Sequence, residues 1–66
     1  MDKQALAKDF MEWSGGFPPE SDHQITVYLD YALPAGFDRQ EADEFLTDWY
    51  ASGEDEPPKD ETGSAV

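Results

Sequence analysis

Two interruptions divide this chain and leave it few folds to choose from. Gly15-Gly16-Phe17-Pro18-Pro19 and Leu33-Pro34-Ala35-Gly36 each combine glycine, which accepts positive φ, with proline, which fixes φ and removes an amide donor. Neither a helix nor a strand can run through them, so whatever forms must be built from three short segments. In each segment the apolar residues follow a helical period.

From Asp2 to Ser14, Leu6, Phe10 and Trp13 recur at i, i+4 and i+7, with Ala7 and Met11 widening the face and Lys8, Asp9 and Glu12 on the polar side. Ser21 opens the second segment as an N-cap, and Gln24 three residues on completes a capping-box spacing. Ile25, Leu29 and Ala32 share one face there, Val27 and Tyr31 lie almost opposite, and Tyr28 falls between. A helix apolar around so much of its circumference is expected to be the central, most covered element. Pro34 ends it by disfavouring the α region at Leu33. Asp38 with Glu41 repeats the cap spacing, Phe37 and Ala42 occupy the hydrophobic-staple positions, and Ala42, Phe45, Leu46 and Trp49 form an apolar stripe bordered by Tyr50. Its reverse face carries Glu41, Glu44 and Asp48.

The spacing therefore predicts an all-α fold with helices near 2–14, 21–33 and 38–51 and no β-sheet. Leu6, Phe10, Trp13, Ile25, Leu29, Phe45, Leu46 and Trp49 are the expected core. The three-helix domain occupies residues 1–52. Residues 53–66 read as a disordered acidic tail, because Val66 is the only large hydrophobe beyond Gly53 and nothing offsets the entropy of ordering the segment.

Size and composition bound the function. A chain of 66 residues allows one domain and little room for an enclosed active site. Without cysteine there is no disulfide or thiolate site, and His23 is the only histidine. Ser21, Asp22 and His23 are consecutive at a helix start, where neighbours point in different directions and cannot form a hydrogen-bonded triad. The acidic runs Glu54-Asp55-Glu56 and Asp60-Glu61 lack the spaced ligands and central glycine of a calcium loop. The expectation is a protein that is not an enzyme and holds neither metal nor cofactor.

Met1-Asp2-Lys3-Gln4 has no apolar run of the signal-peptide kind, and a cytoplasmic location is expected. A net charge of −12 would repel phosphate backbones and anionic headgroups, so direct nucleic-acid or membrane binding is not expected and a basic protein partner is. Solubility or adaptation to high salt is the competing reason for such acidity. Gly16-Phe17 between two predicted helices resembles the first loop of ubiquitin-associated domains in those two residues. Gly15 stands where that family has Met, and two prolines follow, so the pair supports no family assignment.

Two sets of residues could carry binding. The acidic set is Asp9 and Glu12 on the first helix with Glu41, Glu44 and Asp48 on the third. Acids at such helical spacing have Cβ atoms about 5–6 Å apart, comparable with successive phosphates, which suits a regulator or inhibitor that mimics nucleic acid on a basic, nucleic-acid-binding partner. The apolar set is Phe17, Val27, Tyr28, Tyr31 and Tyr50, which would serve a structural accessory or a self-associating protein.

Overall fold

The computed structural model describes residues 2–57, and these form three helices, α1 (Lys3–Ser14), α2 (Asp22–Tyr31) and α3 (Arg39–Ser52), with no strand among them. The expected tail lies, from residue 58 onward, outside the described residues.

Each helix begins on an oxygen that accepts from orphan first-turn amides. Asp2 takes the amides of Gln4 and Ala5, both at 3.1 Å, and so caps α1 rather than belonging to it. Ser21 accepts from Gln24 N–H at 3.1 Å, and the Gln24 side chain reaches back to the amide of Glu20, one residue before the expected target. Asp38 accepts from Glu41 N–H at 3.0 Å. Such caps contribute about 1 kcal/mol each.

The ends follow the same local logic. Gly15 and Gly53 close α1 and α3 at φ 86° and 69°, a region that costs an ordinary side chain energy. The second helix stops at Tyr31, two residues short of the expected end, and the amides of Ala32 and Leu33 both fall on the Tyr28 carbonyl. Pro34 keeps Leu33 from continuing the helix, and the last turn widens so that the Leu33 amide reaches back past the ordinary i−4 partner to the Tyr28 carbonyl.

Packing departs from expectation in which helix is central. That helix is α3, which lies against both α1 and α2, whereas α1 and α2 approach each other less closely. It contributes Ala42, Phe45, Leu46 and Trp49 to the core, against Leu6, Ala7 and Phe10 from α1 and Ile25, Tyr28 and Leu29 from α2. Two features favour α3 for this place. Ala42, fully buried, lets another backbone approach, and Trp49 is long enough to reach Phe10, their ring centroids 5.9 Å apart. The second helix has only ten residues, and its outward face of Thr26, Asp30 and Tyr31 is exposed. Met11, Ala32, Leu33 and Phe37 close the core's edges, Phe37 and Ala42 at the staple positions.

Trp13 is the one expected core residue that the structure moves outward, to 40% exposure. It sits in the last turn of α1, where the interior is already filled by Phe10 and Trp49, and it covers Phe10 at 5.5 Å between centroids. Trp49 keeps its polar end satisfied by donating its indole N–H to the Glu54 carbonyl at 3.1 Å, which holds the chain beyond Gly53 beside the body.

Leu46 is wholly enclosed and Tyr31 is 86% exposed. Leu46→Ala should therefore cost about 2–5 kcal/mol in urea unfolding, while Tyr31→Ala should stay within about 0.5 kcal/mol; similar losses for both would contradict this division of core and surface.

Candidate functional site

The acids of α3 are solvent-facing. Glu41, Asp43, Glu44 and Asp48 are all exposed, on a helix whose apolar stripe faces inward. With about 100° per residue, Glu41 and Asp48 stand two turns apart on one line, Glu44 sits between them toward the outermost side, and Asp43 flanks the far side. Asp43, Glu44, Thr47 and Asp48 line a shallow, open depression, and the Thr47 hydroxyl donates to Asp43 at 3.1 Å. A single helix forms this surface. It can meet a partner's cations but cannot enclose a small substrate.

Asp43 was not singled out from the sequence. The i, i+4 relation to Thr47 and its place beside Glu44 would have found it.

Among the described residues little neutralises this face. Arg39, the one basic residue of α3, pairs with Asp30 of α2. Glu44 and Asp48 are an i, i+4 pair of like charge, which destabilises a helix by a few tenths of a kcal/mol, and the last turn of α3 has no basic residue to favour its C-terminal dipole.

The two acids of α1 differ from one another. Glu12 is exposed, whereas Asp9 is half-buried and accepts a 2.6 Å hydrogen bond from the Tyr28 hydroxyl. Tyr28 corrects its assignment to the exposed apolar set, because it is fully buried. Its ring is edge-on to Phe10 at 4.9 Å and lies 5.2 Å from Trp13. A tyrosine can go this deep because Asp9 satisfies its polar tip. Burial, then the Asp9 hydrogen bond and the Asp9 charge, push the phenol well above its ordinary value, so Tyr28 remains a donor.

The remaining apolar candidates are scattered in exposure. Phe17 is 58% exposed, Tyr50 39%, and Val27 is half-buried. Phe17 is fixed to the end of α1 by Ser14, whose hydroxyl accepts from the Phe17 amide at 3.1 Å and lies within hydrogen-bond reach of the Phe17 carbonyl.

Among the described residues no three acidic or histidine side chains converge as a metal site would. No helix among them is long and apolar enough to cross a membrane. No family model matches the chain, and no curated protein or solved structure matches it either.

The Tyr28 bond yields a signed expectation. The folded phenol holds its proton above the pH, about 10, at which the unfolded one loses it. Its contribution to stability is therefore complete below that pH and declines as pH rises beyond it, by at most about 1.4 kcal/mol per unit. Tyr28→Phe should lower stability at neutral pH by about 1–3 kcal/mol, the scale of a hydrogen bond to a charged group, and should flatten the alkaline decline of the urea midpoint. An unchanged alkaline slope would remove Tyr28 as its source.

Proposed function

We propose that this protein is a non-enzymatic interaction module, a small regulator or inhibitor that docks the acidic face of α3 on a basic protein surface, in the manner of a nucleic-acid mimic. The observation that carries this reading is the cost of that face to its own helix. Glu44 and Asp48 repel across one turn, and Arg39 is engaged with Asp30. A helix selected for stability alone gains from a cation four residues after each acid; Glu41, Glu44 and Asp48 are followed at that distance by Phe45, Asp48 and Ser52. A cationic partner would turn this repulsion into attraction and accelerate encounter.

The alternative, self-association through apolar residues, has less support. Two copies would each bring a net charge of −12 to the contact, and Tyr28, the central residue of the apolar set, is occupied in the core.

Neutralising Glu41, Glu44 and Asp48 as Gln, Gln and Asn tests the reading against a control that neutralises Glu54, Asp55 and Glu56 in the same way, so that both variants keep equal net charge. Binding to a synthetic oligolysine at low and moderate salt should fall about threefold or more for the α3 variant and clearly less for the control. Its melting temperature should hold or rise. Equal losses in both variants would mean that net charge alone acts and would overturn the α3 site.

A further inference from the structure

Trp13 and Asp9 lie four residues apart on α1, a spacing that puts side chains on the same helix face. Both meet Tyr28, Trp13 at its ring and Asp9 at its hydroxyl. A partly exposed indole and a half-buried carboxylate are thus fixed next to each other by one enclosed side chain. The tyrosine donates to Oδ2 of Asp9, so the carboxylate is oriented before any partner arrives. Phe17 is exposed and tied to the end of α1 through Ser14, and Glu12 adds a second exposed charge on α1.

We infer that this corner is a seat for an arginine side chain of the basic partner, with the guanidinium over the Trp13 indole and its N–H groups directed at the Asp9 carboxylate. The occupant follows from charge and shape together. A planar cation satisfies both the negative face of an indole and a carboxylate beside it, whereas an ammonium is more strongly hydrated and matches the flat surface less well. An apolar partner would leave the Asp9 charge without compensation, and a second copy of this chain would bring like charge. Within the chain, Arg39 is held by Asp30, and Lys8, directly before Asp9, projects about 100° around the helix from it.

The proposal rests on the reading of a basic partner and adds a preference for arginine that the α3 face alone would not produce. It is tested on the full chain with two probes of equal charge, hexa-arginine and hexa-lysine peptides. Binding is followed through the two indole N–H resonances, Trp13 partly exposed and Trp49 buried and bonded to Glu54. Hexa-arginine should bind about two- to fivefold more tightly than hexa-lysine and shift the Trp13 resonance while leaving that of Trp49 in place. Trp13→Leu should erase the preference, and Asp9→Asn, which retains an acceptor for Tyr28, should reduce it. The α3 triple variant should weaken both peptides and keep their ratio. An unperturbed Trp49 resonance in each variant verifies that the core is intact. Equal affinity for the two peptides, or a Trp13 resonance that does not move, overturns the arginine seat while the acidic reading stands. Failure of both peptides to bind at low salt overturns both.

Discussion

Phe10 is the side chain on which the three helices depend. It comes from α1, meets Tyr28 of α2 edge-on, and packs against Trp49 of α3, with Trp13 covering its outer side. In a chain of this length without disulfides, few residues can make the core, and each must touch more than one neighbour. Aromatic rings suit that requirement because each removes a large area from water and presents edges and faces to several others at once. Phe45 extends the cluster beside Trp49. The aliphatic residues Leu6, Ile25, Leu29 and Leu46 fill the remaining space.

Such a core leaves polar tips to be accounted for, and the structure meets each with a nearby acceptor. Tyr28 donates to Asp9 and Trp49 to the Glu54 carbonyl, and no buried side-chain polar atom lacks a partner among the described residues. These two bonds also shape the surface. The first draws one acid of α1 partly inward and sets it beside Trp13. The second holds the chain that leaves α3. Packing and recognition are linked here through the same few side chains, because a domain this small has hardly any residue that is only core or only surface.

The acidity is distributed in a way that local stability does not account for. Caps at Asp2 and Asp38, and Asp22 and Glu41 in first turns, suit the positive ends of helices. Glu44 and Asp48 do not, since they stand in the middle and later part of α3 and repel one another. Some acids of this protein thus help to build it and others strain it slightly. The proposed interaction uses the second group together with Glu41, which stands on the same exposed side of α3.

The number of helices, their type and their ends within about two residues were legible in the sequence, because glycine, proline and capping residues act on the backbone next to them and need no tertiary partner. The exposed face of α3 was legible for the same reason, as a helix with one apolar stripe has only one way to turn. What periodicity could not assign was the competition between equivalent residues. Trp13 and Trp49 both sit on apolar stripes, yet Trp49 is enclosed and Trp13 is partly exposed. Tyr28 looked like surplus on a helix wheel, and it is buried because an acceptor on another helix, nineteen residues earlier, meets its hydroxyl. The central place went to α3 rather than α2 because that depends on how three helices pack against one another, which no single helix's period contains. A helical period shows which side of an element is apolar; how deeply each residue on that side is covered is set by the other two helices.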